Sequence, residues 1–78
     1  MSEFRSSEWY EVKGVGWEAA VSLDRETTDF GHLLGRGVHI DGALYRCIGV
    51  NHFGHAPPWR QGERIGLVVK ERQIAISG

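Results

Sequence analysis

One dipeptide, Asp41-Gly42, constrains the fold of this 78-residue chain more than any other feature of the sequence. It stands between two short runs that are rich in apolar and β-branched residues. Asp-Gly readily adopts the two positive φ angles of a type I′ turn, whose twist matches the strands that it joins. A two-residue turn pairs Ile40 with Ala43 and fixes the register of the flanking residues. The sequence therefore predicts a β-hairpin, with apolar residues on both of its faces, as at the corner of a small barrel.

Short alternating segments on either side of the hairpin predict further strands. Tyr10 and Val12 alternate with Glu11 and Lys13, which is typical of a strand with one solvent-facing side. A clearer alternation follows and predicts a half-buried strand, whose inward residues are Trp17, Ala19, Val21 and Leu23.

The last third of the chain predicts one more long apolar strand over residues 64–70. A turn is expected near Glu71-Arg72, followed by a short strand in which Ile74 and Ile76 alternate with smaller residues. Five or six short strands at this spacing indicate a mainly β protein, a small antiparallel barrel or rolled sheet.

An α+β class is the alternative if residues 29–35 form one short helical turn. Asp29 would cap that turn, and Gly35 would end it in the left-handed conformation. We expect a single domain over residues 1–78, since a chain of this length has room for only one. Its first seven residues, with three serines and no apolar period, are expected to be frayed.

Composition narrows the classes of protein to consider. No apolar run is long enough to cross a bilayer, and the amino terminus lacks an apolar signal core, so we expect a cytoplasmic protein without membrane contact. The single cysteine, Cys47, fits a reducing compartment. A net charge of −1 disfavours general binding to nucleic acid. Because so short a chain buries a limited core, a monomer or a weak homodimer is expected.

Few residues carry a recognisable catalytic or metal-binding pattern. His52 and His55 form an H-x-x-H pair, but zinc requires three or four ligands, and no C-x-x-C motif accompanies the pair. Cys47 falls in the middle of a strand, where a free cysteine usually acts as a small buried hydrophobe. The sequence therefore predicts no metal, no cofactor and no enzymatic activity.

The long irregular segment from Asn51 to Gly62 is the main candidate for a partner-binding surface. Tryptophan and arginine dominate interface hot spots, and two prolines reduce the entropy that this loop would lose on binding. The candidate partner-binding residues, with one from the following strand, are His52, Phe53, His55, Trp59, Arg60 and Arg64. An alternative is that Phe53 and Trp59 fold back as lids over the open end of the barrel. The two possibilities combine if Phe53 is a plug while Trp59 and Arg60 remain outside.

Charge is distributed unevenly along the sequence. Residues 1–42 carry eight acidic and four basic residues, whereas residues 43–78 carry two acidic and five basic ones. Such a distribution can steer a charged partner. If the target surface is a basic nucleic-acid channel, an acidic patch is the alternative binding surface, and its residues are Glu8, Glu11, Glu18 and Glu26.

Two runs within residues 37–70 resemble small β-rich proteins of phages and bacterial mobile elements. The runs are Gly37-x-His-Ile-Asp-Gly-x-x-Tyr-Arg-x-x-Gly-Val and Ala56-Pro-Pro-Trp-Arg-x-Gly-Glu-x-Ile-Gly-Leu-Val-Val. A small chain of this kind is also similar to phage-encoded inhibitors of the anti-CRISPR type, which block an effector by occupying its surface. The resemblance implies a non-catalytic protein-binding module that inhibits a host complex such as a CRISPR effector. It transfers no functional residue to this chain.

Two other functions remain open at this point. The hairpin pattern is similar to that of small barrel proteins at phage head–tail junctions, which implies a structural virion or assembly protein. A small nucleic-acid-binding barrel is the third possibility, with bases stacked on exposed aromatic residues.

Overall fold

The alternating segments of the chain form six β-strands in the computed structural model, which describes residues 3–73. The strands are β1 (Glu3–Phe4), β2 (Ser6–Val12), β3 (Gly16–Ser22), β4 (Gly37–Ile40), β5 (Ala43–Asn51) and β6 (Arg64–Gln73). They form one sheet in the order β1-β4-β5-β6-β3-β2. The predicted mainly β class is confirmed. The sheet is mixed rather than wholly antiparallel, because β1 pairs with β4 in the parallel direction.

The sheet is rolled, although it is not closed into a barrel. Its two edge strands, β1 and β2, are separated in the chain by Arg5 alone. Since two residues of extended chain span at most about 7 Å, the opposite edges of the sheet must approach each other here. Across the roll, the rings of Trp9 in β2 and Tyr45 in β5 lie 5.2 Å apart, although these strands are not neighbours in the sheet.

The expectation of a frayed amino terminus is wrong for residues 3–7. Phe4 is buried in the core, and its carbonyl accepts a hydrogen bond from the backbone N–H of Asp41. The Asp41 carboxylate in turn accepts hydrogen bonds from the backbone N–H and the hydroxyl of Ser6. One buried phenylalanine and an anchor on the hairpin turn thus order a segment whose local composition is that of a loop. Residues 1 and 2 lie outside the described residues.

The hairpin has the predicted register and turn. Ile40 faces Ala43, and the pairing continues outward to Gly37 opposite Arg46. Asp41 and Gly42 have φ angles of 53° and 82°, which are the two positive values that a type I′ turn requires.

Residues 29–35 make one hydrogen-bonded turn rather than a helix. The N–H of Leu34 donates to the carbonyl of Phe30, and the Asp29 carboxylate accepts from the N–H of Gly31. Gly35 ends the turn at a φ of 75°, as predicted, and its N–H donates to the carbonyl of Cys47. This pairing with β5 stops the turn from continuing, so the α+β alternative is not needed. Within residues 3–73, no helix has the length and apolarity needed to span a bilayer.

The core lies between the inner faces of the rolled sheet and beneath the loops that cross it. Cys47 is fully buried, as predicted for a small hydrophobe. Trp17 was expected in this core but is 45 % exposed. It is the second residue of β3, next to the turn from β2, where the inner face of the sheet ends in solvent. The buried hydrophobic cluster consists of Phe4, Ala19, Val21, Leu23, Phe30, Leu33, Val38, Ile40, Cys47, Trp59, Ile65, Leu67 and Val69.

The turn predicted near Glu71-Arg72 is also wrong. Strand β6 continues through both residues, because Arg72 pairs with Tyr45 and Gln73 pairs with Leu44 of β5. The short strand expected through Ile74 and Ile76 lies outside the described residues.

Candidate binding groove on the outer face of the sheet

Trp59 covers the core instead of facing a partner. It is only 6 % exposed, and its ring lies 4.5 Å from that of Phe30. Its indole N–H donates to the carbonyl of His55 at 3.0 Å, and its backbone exchanges two hydrogen bonds with Thr27. Because the indole nitrogen has a partner inside the protein, the whole side chain can be buried at low cost. Trp59 therefore folds back over the core, as the lid alternative predicted. The prediction that it is an exposed partner-binding residue is wrong.

Phe53 lies on the surface, outside the core. The expectation that Phe53 is a plug while Trp59 stays outside is therefore wrong, because the two residues have the opposite arrangement. Its side chain is 45 % exposed, and its φ angle of 53° is in the left-handed region. Few residues other than glycine, asparagine and aspartate adopt this conformation. The side-chain oxygen of Asn51 accepts the N–H of Phe53 at 2.9 Å, which fixes the turn. The loop therefore holds a large apolar ring in solvent and uses an otherwise unfavourable backbone conformation to do so.

The remaining loop residues are exposed and scattered. The ring of His52 lies 5.4 Å from that of Trp59 and is tilted against it, and His55 has its Nδ1 atom 3.7 Å from a carboxylate oxygen of Glu63. Arg60 is exposed and lies beside the turn that precedes β6. In the part of the chain that the structure describes, no three histidine, cysteine, aspartate or glutamate side chains come together as a metal site would require.

Phe53 and Arg64 meet instead at a groove that the sequence did not single out. The groove lies on the outer face of the sheet, has a volume of about 430 Å³ and is lined by Tyr10, Glu18, Phe53 and Arg64. Tyr10 in β2 faces Glu18 in β3, and Phe53 follows the end of β5. We call this feature the outer-face groove. Tyr10 was expected on the covered side of its strand, but it is 43 % exposed, because Trp9 takes the inward position.

A glycine makes space for the carboxylate in this groove. Gly66 lies in β6 opposite Ala20 of β3 and has no side chain of its own on this face. A Cβ atom at Gly66 would lie 2.8 Å from the carboxyl carbon of Glu18 and closer still to one of its oxygens. The Glu18 side chain therefore lies flat over Gly66, where the side-chain nitrogen of Asn51 donates to it at 3.3 Å.

A short hydrogen-bonded chain forms one wall of the groove. The Tyr10 hydroxyl donates to one carboxylate oxygen of Glu8 at 2.5 Å, and the Arg64 guanidinium donates to the other at 2.7 Å. The Tyr10 hydrogen bond, followed by that of Arg64, lowers the pKa of Glu8 below its usual value. The same carboxylate raises the pKa of Tyr10 and that of Arg64. Glu8 and Arg64 are both exposed, so this ion pair orients the side chains more than it stabilises the fold.

The structure brings together only part of the predicted acidic patch. Glu8 and Glu18 share the outer face, whereas Glu11 alternates to the other side of β2, and Glu26 lies in the connection after β3. Arg64 belongs to the basic half of the sequence and lies in β6, whereas Glu8 lies in β2. These two strands flank β3 in the sheet, and the Arg64 side chain reaches Glu8 across it. Sequence reasoning missed Tyr10, Asn51 and Gly66. Asn51 carried one local signal, because an asparagine side chain often accepts the backbone N–H two residues on and so forms a turn.

Comparison with known proteins gave no match for this chain among family models, curated proteins or solved structures. The resemblance of residues 37–70 to phage and mobile-element proteins stays a prediction.

Proposed function

We propose that this chain is a non-catalytic protein-binding module whose contact surface is the outer-face groove with the exposed ring of Phe53. One observation carries the proposal: Phe53 is held in solvent by a left-handed backbone that the Asn51 side chain fixes. Large apolar rings are the side chains from which interfaces draw most of their energy. Because the backbone that carries the ring is already fixed, a partner that covers the ring has little further chain to order.

The finer proposal is that the module blocks a larger host complex, as phage-encoded inhibitors of CRISPR effectors do. The support for this is the resemblance of residues 37–70 together with a small chain that offers a preformed surface. A non-catalytic role agrees with the position of Cys47, the single thiol of the chain. That thiol is fully buried, and desolvation raises its pKa, so it is protonated and shielded near neutral pH.

Naked nucleic acid is a poorer ligand for the groove itself. Among the described side chains at the groove, the carboxylates of Glu8 and Glu18 outnumber the guanidinium of Arg64. Phosphate backbones require a surplus of basic groups, so the charge of the groove opposes such binding even though its aromatic rings could stack bases.

The test is affinity capture from phage-infected bacteria with wild type, Phe53→Ser and a matched control, Leu34→Ser. Leu34 and Phe53 are both 45 % exposed, but Leu34 lies in the turn before β4, away from the groove lining. We expect a nuclease-resistant host complex with wild type and with Leu34→Ser. With purified components, Phe53→Ser should weaken the affinity for that complex about tenfold or more.

Three results would contradict the proposal in different ways. Equal loss of the complex in both variants would remove the outer-face groove as the contact surface. Full retention in Phe53→Ser would do the same. Recovery of capsid or tail proteins alone would overturn the inhibitor and favour a virion component.

A further inference from the structure

We propose that the outer-face groove receives an arginine side chain of the partner, with its guanidinium on the Glu18 carboxylate and against the rings of Tyr10 and Phe53. This inference rests on the proposed function and adds the chemistry of the group that is recognised. It is argued from the shape of the groove, from its charge and from the groups that the groove leaves available.

The shape of the groove fits a long, narrow side chain. Gly66 leaves room for the Glu18 side chain to lie against the sheet, and Tyr10 and Phe53 line the groove as two exposed rings. Its lining is mainly apolar, so the methylene groups of an arginine can be covered there while the charged end reaches a carboxylate.

The charge of the groove is complementary to a cation. Arg64 is already paired with Glu8, and both oxygens of that carboxylate accept hydrogen bonds. Glu18 has the Asn51 amide beside it, and among the described side chains no lysine, arginine or histidine lies within salt-bridge distance of it. The groove therefore holds one carboxylate in excess over its cations, and that carboxylate lies between its aromatic walls.

Arginine fits this arrangement better than lysine. A guanidinium is flat, stacks on aromatic faces and presents several N–H donors in one plane to a carboxylate. The Asn51 amide donates to one Glu18 oxygen, Oε2, and the second oxygen projects from the same planar group. A guanidinium stacked on a ring beside it can donate to this second oxygen without displacing Asn51.

The test is a titration of the ¹⁵N-labelled full chain with the peptide acetyl-Gly-Arg-Gly-amide, followed by amide chemical shifts. The matched peptide carries citrulline, which keeps the shape of arginine but has no charge. We expect saturable shifts at Gly66, Glu18 and Phe53 with the arginine peptide, and binding about tenfold weaker with citrulline. Added salt should weaken the arginine complex. Absent shifts at these residues, or equal binding of the two peptides, would overturn the inference.

Two variants separate a specific contact from the net charge of the protein. Glu18→Gln should weaken arginine binding about tenfold, and Glu26→Gln, which removes the same charge away from the groove, should leave it nearly unchanged. Gly66→Ala should also weaken it, because the added Cβ displaces the Glu18 carboxylate. Equal effects of Glu18→Gln and Glu26→Gln would contradict the proposed contact.

The failure of this inference is distinguishable from the failure of the proposed function. If Phe53→Ser abolishes partner capture while the arginine peptide does not bind, the module stands and the arginine contact is wrong. If the peptide binds but partner capture does not depend on Phe53, the groove recognises arginine and the proposed contact surface for the host complex is wrong.

Discussion

The side-chain amide of Asn51 donates to the carboxylate of Glu18 across 33 residues of sequence, and this contact links the carboxylate of the outer-face groove to the loop that carries its exposed ring. The oxygen of the same amide accepts the N–H of Phe53. One side chain therefore positions both the charge and the aromatic wall of the groove. A change at Asn51 should disturb both of them without touching the core.

We expect Asn51→Ala to destabilise the protein by about 1–2 kcal/mol, because two hydrogen bonds are lost and Phe53 keeps an unfavourable backbone conformation without support. Urea unfolding measures the loss, and amide hydrogen exchange at Phe53 should accelerate. Asn51→Asp is the matched variant, since it retains the acceptor for Phe53 but places a second carboxylate beside Glu18. An unchanged exchange rate at Phe53 in Asn51→Ala would show that the Asn51 side chain does not fix the Phe53 backbone.

Trp59 and Phe53 should differ sharply in their effect on stability. Trp59→Ala removes a buried ring from its contact with Phe30, and we expect a loss of about 3–5 kcal/mol in the free energy of unfolding. Phe53→Ser changes an exposed ring, so its effect should stay below about 1 kcal/mol. Chemical denaturation of the two variants beside wild type measures the difference. Similar losses would show that the loop does not divide its aromatic residues between core and surface.

Gly16 should be the glycine of the β2–β3 turn that tolerates alanine least. A Cβ there would contact the backbone carbonyl of Val69 and lie 2.8 Å from that of Lys70, so β3 and β6 would have to separate. We expect Gly16→Ala to cost about 2–3 kcal/mol. Gly14→Ala is the control, because Gly14 also has a positive φ but open space around it, and about 1 kcal/mol is expected. Thermal unfolding of both variants decides; equal losses would contradict the steric argument.

The Tyr10–Glu8 contact predicts a change in titration behaviour. Glu8 raises the pKa of Tyr10 above its usual value near 10, chiefly by accepting its hydroxyl hydrogen bond. The stability that this contact contributes is complete below the usual tyrosine pKa and is lost as the pH rises through the raised value. Glu8→Gln should therefore lower the pKa of Tyr10 towards normal, whereas Glu11→Gln should not.

The measurement for this prediction is an NMR titration of ¹³C-labelled tyrosine, which distinguishes Tyr10 from Tyr45. The pH dependence of stability has the opposite direction for Glu8, because its pKa is lowered. The stability that its ionised carboxylate contributes is present above the usual glutamate pKa and is lost as the pH falls through the lowered pKa. An unchanged Tyr10 titration in Glu8→Gln would contradict the contact.

The sequence alone determined the features that depend on near neighbours in the chain. Asp41 and Gly42 specified the type I′ turn because its positive φ angles suit those residue types, and a two-residue turn leaves only one register. The hydrogen bond that Asp29 accepts at the start of the next turn and the left-handed Gly35 at its end were predicted because they too depend on residues close in the chain. Period-two alternation indicated the mainly β class, and Cys47 fell within the predicted hairpin on its buried face.

Tertiary structure alone decided which aromatic residues face solvent. Trp59 and Phe53 lie in one loop with similar composition around them, and only the packing against Phe30 and the backbone pairing with Thr27 gave the indole a place in the core. Likewise, the groove arises where strands distant in sequence become neighbours. Burial and charge pairing depend on the partners that the fold supplies, and no local pattern in the sequence specifies those partners.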